Sequence, residues 1–511
     1  MKATRKQILT QNNGVNRRTY LGRYASFPPA PPPPLPYAPT QDIPPDQQTF
    51  QLVHALTAAM DSSFPKQKRN TRKPYITEHT LDLLSQVTPD TPPQTLKTLR
   101  NRIRKSALKD KKRWIQDRLT MEQSSSSADQ WRTIKRLRTK YQHHTQSVNW
   151  PNGLPSTRRD KPEVLAQHLS TEVWQETTLP LPYDEPISSP HPHLDEPFTM
   201  VELYNALRRT KTGKAPGPDG IPMECFRLMP HPVKKILLAH YNDCFFSGVA
   251  PDHWKLAEVV MIFKGSNKNS RHPSSYRPIS LANSIYKIYA AMLQQRLCKA
   301  IDPLLQPNQF GFRPQRSLAT PLFLIRRLTE IFERHTNSLY ILFLDWSQAF
   351  DSVGHAHVQM ALQRYGATPI FVQAIMALYH QAKFYVSESE FQSHMCSIHR
   401  GLRQCCPLSP YLFIVVLSCL MLDVKTFFEG LYQHVPWTFS AEHPLTDLEF
   451  ADDTVLMART QATLHRLVHL LQHLAAQRGL SLNPHKCQLL LLNTTLPISL
   501  SKTVTATDPC S

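Results

Sequence analysis

Two short apolar segments that end on acids constrain this chain more than any other feature. The run 338–344 (SLYILFL) is continuous in apolar and β-favouring residues, the pattern of a strand buried on both faces, and it ends at Asp345. Further on, LEFADDTVLM sets Ala451, Asp452 and Asp453 between two apolar pieces, as a hairpin does when it carries two carboxylates at its tip. Adjacent acids repel each other and gain nothing from burial, so a fold that holds them beside a third acid is expected to have a cation there. Oxygen ligands of this kind suit Mg²⁺, and two such ions about 3.5 to 4 Å apart can stabilise both the attacking and the leaving oxygen of a phosphoryl displacement. The chemistry this predicts is nucleotidyl transfer. Each element taken singly has a plainer reading: Asp345 as a helix N-cap, and Asp452 with Asp453 as an ordinary turn pair.

The sequence around these acids reads as a packed domain from Phe198 onward, where amphipathic helices alternate with short apolar strands. Thr320 and Pro321 suit the N-cap and first turn of a helix running to about His335, with Ile325, Leu328 and Phe332 on one face. Ser409 and Pro410 repeat that start signal before a helix over 411–429, with Gly430 suited to its end. A third helix carries Leu464, Leu467, Val468, Leu471, Leu474 and Ala475 as one stripe, and Gly479 is expected to stop it.

Upstream the character differs. Residues 26–48 are dominated by proline (PPAPPPPLP), which supports neither helix nor sheet, so a solvated linker is expected, with an SH3-type ligand as the alternative. Basic residues cluster over 66–141, as in RNRIRKSALKDKKRWIQDR and WRTIKRLRTKY; the stretch could lie along nucleic acid or be a solvated basic helix pair. Residues 152–197 are rich in proline and read as a second linker.

Over the 511 residues, Lys and Arg outnumber Asp and Glu by 59 to 39, a surplus that points first to a polyanion such as RNA or DNA. The nine cysteines show no C-x-x-C pair and no Cys/His spacing suited to zinc, so they read as reduced, mostly buried thiols. The start, MKATRKQILTQNNG, lacks an apolar core of the secretory type, and the longest apolar run, 411–422, is shorter than the roughly 20 residues a membrane span needs. An intracellular protein without a membrane span is expected.

A set of motifs in fixed order gives the acids a context. KAPGPDGI (214–221), a strand ending in IFKG (262–265), SYRPISL (275–281), QFGFRPQRS (309–317), LDWSQAFDSV (344–353), RQCCPLSP (403–410), FADD (450–453) and GLSLNPHK (479–486) follow one another. Together they resemble the reverse transcriptases of non-LTR (LINE-type) retrotransposons, over about 198–492. The resemblance implies an α+β right-hand polymerase fold of fingers and palm, an antiparallel palm sheet backed by helices, and an RNA-directed DNA polymerase acting by a two-metal mechanism. It implies a catalytic, metal-binding triad of Asp345, Asp452 and Asp453, with two Mg²⁺ ions or Mn²⁺ in their place. By the same resemblance Lys264 and Arg277 contact the dNTP triphosphate, Phe350 is the steric gate against a ribose 2′-hydroxyl, Gln404 lies beside nucleotide and template, and Lys486 protonates the departing pyrophosphate. KAPGPDGI shapes the fingers. The implied partners are an RNA template, a DNA primer or target and dNTPs, and the implied location is the nucleus.

Three departures qualify the resemblance. The family has glycine where this chain has Cys405, and a side chain there is expected to crowd the substrate or restrict φ. Gln348 replaces a lysine usual in the pattern. The short sequence after Lys486 leaves the thumb largely missing. The expected order is a Pro-rich, mostly disordered segment (1–65), a basic helical region (66–150), a linker (151–197), the fingers and palm (198–492) and a tail (493–511). A nucleic-acid-binding remnant without activity and a maturase-like RNA-binding protein are the alternative functions.

Overall fold

The structure is a computed structural model that describes residues 43–63, 75–87, 93–122, 147–176, 185–265, 268–334, 337–388, 390–432 and 445–493. The chain divides into two compact units: Met60–Thr145, and Met1–Ala59 together with Gln146–Ser511. In the first, helices Glu78–Ser85 and Pro93–Glu122 pack on each other. Proline opens the longer helix, where its missing N–H costs nothing. Asp110, buried on that helix, accepts from the Thr77 N–H (3.0 Å), the Thr77 hydroxyl (2.8 Å) and the Thr80 hydroxyl (2.6 Å), which satisfies the start of the shorter helix. The second basic cluster, WRTIKRLRTKY, lies outside the described residues.

The larger unit holds two sheets. In the first, β1 (Leu256–Phe263) pairs antiparallel with β2 (Tyr276–Leu281) and parallel with β4 (Lys383–Glu388), and β4 takes on the short strands β5 (Phe391–Gln392) and β6 (Cys396–Ser397). The second is antiparallel throughout, in the order β7 (Asp447–Phe450), β8 (Asp453–Ala458), β3 (Leu339–Leu344) and β9 (Gln488–Leu492). Strand β3 is buried on both faces. Leu339 and Ile341 meet helix Ala319–Arg334 through Leu324, Ile325, Leu328 and Phe332, while Leu342 and Leu344 join the main core with Leu464 and Leu467 of helix Gln461–Ala476. This is why its sequence is continuous in apolar residues instead of alternating.

Several boundaries differ from the sequence reading. Helix Ala319–Arg334 begins before Thr320, so Thr320 is inside its first turn. Helix Ser409–Leu431 runs past Gly430, because the packing of its apolar sides outweighs the modest cost of one glycine. At 23 residues it is long and apolar enough to cross a membrane, unlike the shorter run in the sequence, but it is the core helix of this unit and 78% of its most apolar stretch is buried.

Parts of two segments expected to be unstructured are helical, while residues 26–42, most of the proline-dominated run, lie outside the described residues. Helix Pro45–Ser63 starts on a proline tolerated in a first turn, and its Leu52 enters the main core with Val53 and Leu56 beside it. Helix Lys161–His168 and the π-helical turn Leu169–Val173 place Val164, Leu165, Leu169, Val173 and Trp174 against Val259, Phe384 and Val386 of the first sheet. The prolines of 152–176 and 185–197 punctuate the described parts of this segment without unfolding them, and the unit extends upstream of Phe198.

Candidate active site

The antiparallel register of β3 with β8 sets the position of the acids. Leu344 stands opposite Thr454, so the next pair along the ladder is Asp345 and Asp453. Strands β7 and β8 close through Phe450 opposite Asp453, which leaves Ala451 and Asp452 as a two-residue turn. Ala451 takes φ 60°, a left-handed value that hairpin turns of this length require. Asp345 and the adjacent pair Asp452 and Asp453, distant in sequence, thus stand at one end of one sheet. Burial holds the Asp453 carboxyl above the usual carboxylate range, and repulsion from Asp452 and Asp345 adds to it.

The turn is held from beneath. Gln309 Oε1 accepts from the N–H of Ala451 (3.1 Å) and of Gly311 (2.8 Å), while its Nε2 donates to buried Glu449 (2.8 Å). A Cβ on Gly311 would come within 2.1 Å of the Ala451 nitrogen, so only glycine lets QFGF dock here. Sequence reasoning missed Gln309 and Glu449; nothing local in QFG or LEF distinguishes them.

The segment GLSLNPHK runs beside the end of β3. Ser347 N–H donates to Ser481 O (2.8 Å), Asn483 N–H to Asp345 O (2.8 Å), and the Lys486 ammonium to Asp345 Oδ2 (2.8 Å). Among the described residues no three His, Cys, Asp or Glu side chains are gathered closely enough to ligate one ion by themselves. The donor set of Asp345, Asp452 and Asp453 is nonetheless all carboxylate oxygen, the chemistry a hard divalent cation takes, and its mutual repulsion is what such a cation relieves.

The remaining predicted residues fall in two groups. Lys264 follows β1, where its ammonium donates to Ser274 O (2.6 Å); burial lowers its pKa, and the neighbouring charge of Arg277 lowers it further. Arg277 is exposed on β2 opposite Ile262. Lys264 also interacts electrostatically with Asp351 and Lys486, so the hairpin end of the first sheet is within reach of the acid end of the second. Phe350 follows Gln348, itself at φ 49°, and stacks on Phe413 (centroids 4.6 Å apart) with Phe312 edge-on at 6.5 Å. Gln404 donates through Nε2 to Asp351 Oδ2 at 2.8 Å. Asp351 stands in LDWSQAFDSV, yet the resemblance singles out only the first acid of that motif. Beside Gln404, Cys405 is exposed and takes φ 74°.

The loop KAPGPDGI is fixed to helix Ser284–Ile301 by Asn283, the residue before it. Asn283 Oδ1 accepts from the Asp219 N–H (3.2 Å), and a Cβ on Gly217 would fall 2.4 Å from that oxygen. Burial pushes the Asp219 carboxyl up to about 6.

Known proteins are similar to this chain in sequence. The family described as reverse transcriptase (RNA-dependent DNA polymerase) matches residues 265–507. The RNA-directed DNA polymerase from the mobile element jockey of Drosophila melanogaster is 27% identical over 383 residues, covering 71% of this chain and 40% of the relative. The Pol polyprotein of the type-2 retrotransposable element R2DM, also from Drosophila melanogaster, is 29% identical over 333 residues, 64% of this chain and 30% of the relative. A 149 kDa protein of transposon TX1 from Xenopus laevis is 28% identical over 298 residues, 58% of this chain and 22% of that protein. The chain spans less than half the length of each of these relatives. Residues 265–507, just under half of the chain, thus match the reverse transcriptase family, and the similar proteins include polymerases and Pol polyproteins of mobile and retrotransposable elements.

Proposed function

We propose that this chain carries the fingers and palm of a right-hand polymerase, and that it adds deoxynucleotides to a primer 3′-hydroxyl on an RNA template. In this reading the sheet of β1, β2 and β4 belongs to the fingers, and the antiparallel sheet of β7, β8, β3 and β9 is the palm. One observation carries it: the register that sets Asp345 against Asp453, with Asp452 in the turn between β7 and β8.

Asp345, Asp452 and Asp453 are the residues that would hold two Mg²⁺ ions, or Mn²⁺ in their place, and such ions supply charge stabilisation at the attacking and leaving oxygens. Lys264 and Arg277 bind the triphosphate, for which a point charge and a planar donor fork are suited. Phe350, backed by Phe413, presents a rigid ring against a ribose 2′-hydroxyl. Gln404 positions nucleotide and template, and Lys486 holds the proton delivered to the departing pyrophosphate. The partners are an RNA template, a DNA primer or target, and dNTPs; the exposed lysines and arginines of helix Pro93–Glu122 suit a phosphate backbone. By the same family reading, its site of action is the nucleus.

Primer extension on an RNA template with Mg²⁺ or Mn²⁺ tests this. Extension by the wild-type chain, abolished by Asp452→Asn, is the expected result. If neither protein extends and both bind RNA with a steep salt dependence, a nucleic-acid-binding role without catalysis replaces it.

A further inference from the structure

Asp351 is 6% exposed, and both of its carboxylate oxygens are occupied. Trp174 Nε1 donates to Oδ1 at 3.1 Å, and Gln404 Nε2 donates to Oδ2 at 2.8 Å. The loop that bears Gln404 is stitched to the backbone on either side of this residue: Leu402 N–H donates to Phe350 O (2.7 Å) and Gly401 N–H to Val353 O (2.8 Å). Gly401 takes φ 89°, and a Cβ there would lie 2.8 Å from Asp351 O, so the loop and the short helix Ala349–Ser352 are in the closest backbone approach glycine allows. The turn at 172–174 closes the other side, with His399 N–H donating to Trp174 O (3.1 Å) and Arg400 Nε to Val173 O (2.8 Å).

If this junction needed only packing, an apolar side chain would fill it without the cost of burying a charge. A carboxylate does something an apolar group or an amide cannot. It is an acceptor only, so it admits the Gln404 amide in one of its two flip states, with Nε2 inward, and thereby fixes where Oε1 points.

We infer that Asp351 is a positioning residue of the nucleotide site, whose carboxylate locks the flip state of the Gln404 amide and anchors it to Trp174 of the upstream segment. This rests on the polymerase reading above. Burial pushes the Asp351 carboxyl up to about 6, with hydrogen bonds from Trp174 and Gln404 and the charges of Lys264 and Arg400 acting against it, so the group is ionised at pH 8.

Asp351→Asn is nearly isosteric but can donate as well as accept, which permits both flip states of Gln404. At pH 8 the dNTP KM of the full chain is expected to rise roughly ten-fold, what loss of a charge-assisted hydrogen bond is worth, with kcat and Tm little changed. Trp174→Phe, which keeps a ring against Phe384 and removes only the N–H donor, is expected to shift KM in the same direction by less. The side-chain NH₂ resonances of Gln404, assigned by their loss in Gln404→Glu, provide a readout independent of turnover: narrow and slowly exchanging in the wild type, broadened in Asp351→Asn. An unchanged KM, or a Gln404 amide equally ordered in both proteins, overturns the inference. If the wild-type chain extends no primer, the polymerase reading fails, and the amide resonances alone decide whether Asp351 positions Gln404.

Discussion

The Lys486 ammonium stands 2.8 Å from Asp345 Oδ2. The two side chains come from segments far apart in the chain, and the pairing of 481–483 with 345–347 brings them together. A divalent ion that ligates Asp345 competes with this ammonium for the same carboxylate. Lys486→Gln is therefore expected to tighten Mn²⁺ binding a few-fold, the worth of an exposed ion pair, while slowing primer extension. Mn²⁺ titration followed by electron paramagnetic resonance reads the first effect and extension kinetics the second. Changes in the same direction would contradict the two roles given to this lysine.

Cys405 occupies the left-handed region at φ 74°, where a Cβ is strained and glycine is not. Cys405→Gly is expected to raise stability by about 1 kcal/mol, seen as a higher urea midpoint at constant slope. Extension is expected to quicken as well, since the backbone beside Gln404 gains room for the nucleotide. A lower midpoint would show that the thiol makes contacts worth more than the strain.

Phe350 lies flat on Phe413 and edge-on to Phe312, so its ring is braced against displacement. Replacing it by valine is expected to raise ribonucleotide incorporation by roughly a hundred-fold relative to dNTP, the scale on which a pocket discriminates one hydroxyl. Tm is expected to fall too, because the stacking partner is lost. Competitive incorporation of rNTP and dNTP on one template measures the ratio; an unaltered ratio with a lowered Tm would leave Phe350 a purely structural ring.

His240 joins helix Pro45–Ser63 to helix His231–Ser247, with Nδ1 2.9 Å from Gln48 Oε1 and Nε2 2.8 Å from the Thr49 hydroxyl. A neutral ring satisfies both, donating through Nδ1 and accepting through Nε2. Burial pushes its pKa down to about 4, against about 6.5 in the unfolded chain. The unfolded state then binds more protons between those values, so this contribution is complete above pH 6.5 and is lost as pH falls toward 4. Denaturation midpoints measured from pH 7 to pH 4 should fall less steeply in His240→Gln than in the wild type. Asp219 and Asp351, both raised to about 6, work in the opposite sense over the same range, so the difference between the two proteins is the quantity to read.

Local chemistry makes much of the site legible in the sequence. An apolar run ending in an acid reads as a buried strand, and two acids between apolar pieces read as a hairpin tip; β3, β7 and β8 have those forms. The stripe 464–475 and the face of Ile325, Leu328 and Phe332 are buried as their spacing implies. Less legible are Pro45–Ser63 and Lys161–Val173. Proline content suggests linkers there, but each helix begins at or just before a proline and packs an apolar face on a core supplied by residues some two hundred positions away.

By itself the sequence determined which residues could be strands and which acids they would carry, because those properties depend on neighbours within a few positions. Only the tertiary structure decided that Asp345 faces Asp453 and is paired by Lys486, that Gln309 holds the acid turn, and that Asp351 joins Trp174 to Gln404. These contacts link residues 53 to 177 positions apart. Which distant donor meets which acceptor is set by strand register and by the close approach of glycines such as Gly311 and Gly401, and neither leaves a local mark in the chain.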